Sequence, residues 1–98
     1  SELKKLAVLA ETFQLPIAPH DHTGPVGLFA TAHVMANVPN GLVMETTRVF
    51  LDGYYAELVE PTPVIRNGHL LLPEGVGLGT KLRPQVRERA DIVIQNFE

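Results

Sequence analysis

The chain has 98 residues, a formal net charge of −3 and 45% hydrophobic residues, so it holds at most one small domain and is not a disordered polymer. The weak negative charge leaves no electrostatic footprint for nucleic acid, and no stretch approaches the ~20 apolar residues of a membrane-spanning helix. Cysteine is absent, which excludes disulfides and thiolate metal sites and suits a cytoplasmic protein.

The opening Ser1-Glu-Leu-Lys-Lys-Leu6 reads as the start of a charged amphipathic helix rather than a signal peptide. Ser1 is a suitable cap, and Leu3, Leu6, Ala7, Ala10 and Phe13 form an apolar stripe at helical spacing, so a helix is predicted to about Phe13. Gln14 stands where glycine would most comfortably close that helix. A short strand follows from Leu15 to about Pro19, with its two prolines confined to its ends or to irregular spots. Thr23-Gly-Pro25 is a helix start, and the helix beyond it is apolar nearly all round, which predicts burial on more than one side. Asn37 to Gly41 is a turn, and Leu42-Val-Met44 is a short buried strand. Beyond Glu45 a short helix is predicted near residues 53–59, ended by Pro61 and Pro63. Val64 to Leu72 is a hairpin turning at Asn67-Gly68. Glu74 to Thr80 is a glycine-rich loop, residues 84–91 are a candidate short helix, and residues 91–98 are an extended tail.

The informative pattern is a pair of strand ends. Each of two short apolar runs stops abruptly at an ionisable residue, His20 in the first and Glu45 in the second, with one helix-length segment between them. Strand, helix, strand implies a parallel pair joined by a right-handed crossover. The C-terminal ends of such strands face the ligand, so a His and a Glu there are placed for acid–base work or for hydrogen bonding to a substrate oxygen. The bland alternative for His20 is a local hydrogen bond at a strand end. For Glu45 it is a half-exposed ion pair, with Arg48 the nearest candidate. His20 and His22 share a face of an extended segment, but two ligands are too few for a metal site. Asp21 and His22 read first as loop-shaping neighbours, His33 as a satisfied polar group within a buried helix, and His69 as a hairpin residue. Gly75-Val-Gly-Leu-Gly79 matches neither dinucleotide-binding nor phosphate-loop spacing and reads as a tight loop needing positive backbone angles. Tyr54 and Tyr55 read as packing residues.

Pro16-Ile-Ala-Pro-His-Asp-His-Thr-Gly-Pro-Val-Gly27, the apolar helix after it, Glu45 ending the next strand and the late Gly77-Leu-Gly79 together resemble the C-terminal part of the enolase superfamily. The resemblance is to its mandelate racemase/muconate lactonizing enzyme branch, especially the acid-sugar dehydratases such as galactonate dehydratase. It implies an α/β fold, the C-terminal fragment of a modified (β/α) TIM-type barrel plus a segment that packs on a capping domain. On that pattern residues 1–52 are the last barrel units (helix 6, strand 7, helix 7, strand 8), and residues 53–98 form a C-terminal segment whose hairpin returns to the cap. The chain starts at Ser1 without Met, and two strands cannot cover both faces of a parallel sheet, so a piece of a larger polypeptide is expected.

The resemblance further implies that His20 is the seventh-strand base and that Glu45 is the eighth-strand residue hydrogen-bonded to the substrate carboxylate. It makes His22 a possible substrate contact, at a position where relatives carry other residue types. The implied cofactor is Mg2+, with ligands outside this chain. The implied partners are a small carboxylate substrate such as an acid sugar, the remainder of the parent polypeptide and further copies in a homo-oligomer. The implied reaction is abstraction of the proton next to a carboxylate, most simply in a dehydratase. A racemase, epimerase or cycloisomerase of the same superfamily is the alternative within it, and a non-catalytic α/β assembly domain is the alternative from another class.

Overall fold

The computed structural model describes residues 2–97, so the expected cap at Ser1 lies outside the described residues. Helix α1 spans Glu2–Thr12 and α2 spans Pro25–Met35. Two short helices follow, α3 (Arg48–Asp52) and α4 (Tyr55–Leu58). Four short strands are β1 (Val59–Glu60), β2 (Val64–Arg66), β3 (His69–Leu71) and β4 (Lys81–Leu82), and a 3-10 turn spans Pro84–Glu88.

α1 closes as a Schellman motif. The amide of Leu15 donates to the Ala10 carbonyl at 2.9 Å and that of Gln14 to the Glu11 carbonyl at 2.8 Å. Gln14 takes the left-handed conformation (φ 58°), so it does here what glycine commonly does. The apolar stripe of α1 is mostly uncovered: Ala7 is buried, while Leu6, Leu9 and Phe13 are exposed.

α2 starts with Pro25 in its first turn and buries Pro25, Leu28, Phe29 and Ala32. These residues lie on one stripe, whereas Val26 and Ala30 are exposed. The expected burial on several sides is therefore reduced to one face, because only one face meets other elements of this chain.

The two predicted strands appear as two separate parallel bridges, Ile17 with Gly41 and His20 with Glu45. The pairing offset grows from 24 to 25 between them, so the second segment carries one extra residue. Pro16 and Pro19 have no amide to donate. Those two features together prevent a continuous ladder while keeping the strand direction.

The helix expected near 53–59 is present as α4, shorter at Tyr55–Leu58, and α3 precedes it without having been expected. Gly53 separates α3 from α4, and Val59 leaves the helix to pair with Leu82 in an antiparallel β1–β4 ladder. The hairpin is as predicted: Val64, Ile65 and Arg66 face Leu71, Leu70 and His69, with Asn67 (φ 51°) and Gly68 (φ 78°) both left-handed at the turn. In the glycine-rich loop a Cβ on Gly79 would approach the Pro73 carbonyl oxygen to 2.8 Å, and its φ is 71°. Only glycine meets both conditions without strain. The helical segment near 84–91 is shorter than expected, ending at Glu88, and no regular element follows among the described residues.

Ala7, Leu28, Phe29, Ala32, Tyr55, Val59 and Val86 form the buried apolar core. Its residues come from α1, α2, α4, β1 and the 3-10 turn, with α2 packed against α1 and α4 against β1.

Candidate active site

The backbone ladder sets the site. The Glu45 amide donates to the Pro19 carbonyl at 2.9 Å, and the Asp21 amide donates to the Glu45 carbonyl at 3.4 Å, so Glu45 sits beside His20 on the neighbouring segment. Residues side by side in a parallel pair project to the same face. The consequence is direct: His20 Nδ1 and Glu45 Oε2 are 3.0 Å apart. Both side chains remain more than half exposed, at 53% and 59%. No ion pair joins Glu45 to Arg48 among the described residues; Glu45 pairs with the histidine instead.

This contact fixes the useful chemistry of the imidazole. With a proton on Nδ1 donated to the Glu45 carboxyl, Nε2 carries the lone pair and is the atom able to accept a proton. The carboxyl oxygen selects the tautomer and the ring orientation. His22 lies on the same side, its ring centroid 4.8 Å from that of His20 and tilted by 58°. Of the three residues singled out in the sequence, His20 thus lies beside both of the others, Glu45 and His22.

The residue between the histidines points the other way. Asp21 is the buried charged residue of the core, 7% exposed. Its Oδ1 accepts from the Thr23 amide at 2.9 Å and from the Thr23 hydroxyl at 2.8 Å, and its Oδ2 accepts more weakly from the Thr31 hydroxyl at 3.4 Å. The first contact is an Asx turn, readable from Asp-x-Thr spacing; the contact to Thr31, one element away, is not. Thr31 is the supporting residue that the sequence did not single out, while Thr23 enters the sequence reading only as part of the helix start. His33 and His69 are accounted for elsewhere: His33 Nε2 lies 3.1 Å from the Leu78 carbonyl, and His69 Nδ1 lies 2.9 Å from the Asn67 carbonyl.

No group of three or more His, Asp or Glu side chains among the described residues is arranged to hold a metal ion. The described residues therefore do not fit a magnesium site by themselves, since magnesium asks for near-octahedral oxygen ligation. No helix among the described residues is long and apolar enough to cross a membrane.

The family described as Enolase C-terminal domain-like matches residues 1–86. The chain belongs to that family. It is similar to D-xylonate dehydratase of Haloferax volcanii, with 41% identity over 81 residues, covering 83% of this chain and 19% of that protein. It is similar to arabinonate dehydratase of Saccharolobus solfataricus, with 31% identity over 90 residues, covering 90% of this chain and 23% of that protein. Among solved structures, an enolase of the mandelate racemase subgroup from Agrobacterium tumefaciens superposes with a TM-score of 0.77 at 44% identity, covering 86% of this chain and 23% of that one. This enolase-type chain thus spans about a fifth of the length of the curated relatives it matches. Its α/β fold is that of a C-terminal portion of a barrel-type enzyme of the mandelate racemase/muconate lactonizing enzyme branch.

Proposed function

We propose that this chain is part of a longer acid-sugar dehydratase in which His20 abstracts the proton next to the substrate carboxylate. The observation that carries this reading is the 3.0 Å contact between His20 Nδ1 and Glu45 Oε2 at the ends of adjacent parallel segments. That contact engages Nδ1, and this reading takes Nε2, the other ring nitrogen, as the base. The two curated dehydratases with which the chain shares 41% and 31% identity support the reaction class.

In this reading Nε2 takes the α-proton and the substrate becomes an enediolate. The imidazolium then returns a proton to the departing β-hydroxyl, which leaves as water, so one histidine serves as base and as acid in turn. Glu45 holds Nδ1 through Oε2. With a proton on its other oxygen it would also donate to the substrate carboxylate. His22, beside His20, contacts a substrate hydroxyl.

The magnesium ion that the resemblance implies is assigned to ligands outside this chain, and its acidic ligand set belongs to the remainder of the parent polypeptide. Residues 1–52 are read as the last barrel units and residues 53–98 as the segment returning to a capping domain. The parent is read as a cytoplasmic homo-oligomer. Exposed apolar side chains on the site-bearing half, Leu15, Leu42 and Val43 among them, support the existence of further covering segments.

The test is turnover of the full-length parent on a panel of acid sugars, with and without His20→Asn. The expected result is dehydration of at least one acid sugar and its loss in the variant, with fold and metal content kept. Epimerised substrate in place of a dehydrated product would convert the assignment to a racemase or epimerase. Undiminished turnover in the variant would remove His20 from the chemistry.

A further inference from the structure

The carboxylate between the two histidines is a buried charged side chain in a small core, and the proposed chemistry does not use it. A buried carboxylate is costly unless hydrogen bonds satisfy it. Here they do so, and all of them come from the segment that leads into α2 or from α2 itself. Thr23 supplies its amide and hydroxyl to Oδ1, and Thr31, in the second turn of the helix, supplies its hydroxyl to Oδ2.

Space is reserved for the same carboxylate. Gly27 lies against it, and a Cβ there would come within 2.8 Å of Asp21 Oδ2 and 2.6 Å of Thr23 Oγ1. The main chain of Asp21 is bound as well, through its amide to the Glu45 carbonyl at 3.4 Å. One residue therefore ties the end of the first parallel segment both to its neighbour and to the helix beneath.

Side chains alternate along an extended segment. With Asp21 held inward, His20 and His22 are committed outward, and their rings lie 4.8 Å apart on the site face. We infer that Asp21 is a positioning residue: its hydrogen bonds to Thr23 and Thr31 fix the 20–24 turn on α2 and thereby aim His20 at the substrate. This rests on the proposal that His20 is the base. Asp21 touches no reacting atom. Its contribution is the orientation of the imidazole that Glu45 completes from the other side.

The experiment measures kcat and KM of the full-length parent per folded molecule, for Asp21→Ala, Asp21→Asn and His20→Asn. Asparagine keeps the Oδ1 acceptor for Thr23 and can donate to Thr31, whereas alanine keeps nothing. The expected result is a fall in kcat of up to about 10²-fold in Asp21→Ala, the scale of a displacement near 1 Å at a reacting group, with KM changed far less. Asp21→Asn should recover most of that loss. If Asp21→Ala does not fold, Thr23→Val against Thr23→Ser gives the same contrast, since serine keeps the hydroxyl and valine removes it.

A fall in thermal midpoint with unchanged kcat in Asp21→Ala would overturn the inference and leave a purely structural carboxylate. Equal loss in the alanine and asparagine variants would also overturn it, because hydrogen bonding would not be what matters. Lost turnover in His20→Asn with unchanged kcat in Asp21→Ala sinks only this inference. Retained turnover in His20→Asn sinks the base assignment and this inference with it.

Discussion

The two parallel segments, residues 15–20 and 41–45, and the α4–β1 segment, residues 55–60, handle their apolar side chains in opposite ways. In the first, the parallel contact is reduced to two bridges, and Leu42 remains 67% exposed beside a half-exposed His–Glu pair. In the second, Tyr55 and Val59 are fully buried, and the antiparallel pairing of β1 with β4 ties the backbone down. Arginines stitch its surface: Arg83 reaches Glu60, and Arg89 reaches both Glu57 and Asp91. The carboxyl of Asp91 is held down at about 2, chiefly by its hydrogen bond from Arg89. The later region is packed, and the earlier one, which holds the His20–Glu45 pair, is largely uncovered among the described residues. The difference teaches that the His20 segment is held by polar contacts, through its bridge to the Glu45 segment and the bonds of Asp21 to Thr23 and Thr31, with little apolar burial of its own.

Separating the site from the packed region is the strongest way to break this comparison. In the full-length parent His20→Asn should lower kcat on the order of 10²–10⁴-fold, the range of general acid–base catalysis, while thermal unfolding stays near that of the unaltered protein. A large shift of the unfolding midpoint would show that the site residue is itself part of the support. Glu45→Gln should be milder and should lower kcat more than it raises KM, because the interaction it removes grows in the transition state. Steady-state kinetics showing a change in KM alone would reduce Glu45 to ground-state binding.

The packed region should respond in the reverse sense. Val59→Ala, at a fully buried position, should cost about 2 kcal/mol of stability by denaturant titration, from lost apolar burial and the cavity left. The kcat of the folded fraction should stay unchanged; a drop there would mean that the two regions are not separable. Leu42→Ala sharpens the point about the bare sheet. In this chain alone the change should stay within ~0.5 kcal/mol, as at an ordinary surface position. In the parent, where covering segments are proposed, it should reach about 2–5 kcal/mol. Equal small costs in both would mean that this face is never covered.

The smallest effect is at high pH. The Tyr55 phenol is pushed up to about 12, first by burial, then by Tyr54. A raised folded value means the neutral phenol is favoured by folding. That contribution is fully present below the ordinary value of 10.0 and is lost as pH rises through about 12. Alkaline spectrophotometric titration should therefore show Tyr55 ionising only on approach to pH 12, and Tyr55→Phe should abolish that late step. A Tyr55 transition near pH 10 would place the ring in water and remove it from the packed region.

Local chemistry explains which parts were legible in the sequence. Pro25 after Thr23-Gly24, and Asn67-Gly68 between two apolar runs, act through backbone angles within a few residues, so α2 and the hairpin are where the sequence puts them. α3 was missed because its five residues are too few to show a helical repeat, and nothing in residues 53–59 alone says that Val59 will pair with Leu82, more than twenty positions away. The separation of the two parallel segments into single bridges was missed for a related reason. The prolines were visible, but the extra residue in the second segment is a property of the pair. Glu45 looked able to pair with Arg48 because the two are near in sequence, while its actual partner is twenty-five positions back.

By itself, the sequence determined the alternation of strand ends and helix and the residue types at those ends, because periodicity, proline and glycine are local constraints. It also carried the ordered pattern from Pro16 to Gly27, with Glu45 beyond, that resembles the enolase superfamily. Only the tertiary structure decided that His20 Nδ1 meets Glu45 at 3.0 Å and that Asp21 turns inward to Thr23 and Thr31. Those outcomes depend on the register between segments and on the seat of α2 beneath them. The His20–Glu45 and Asp21–Thr31 contacts join residues on different elements, and no local propensity encodes them.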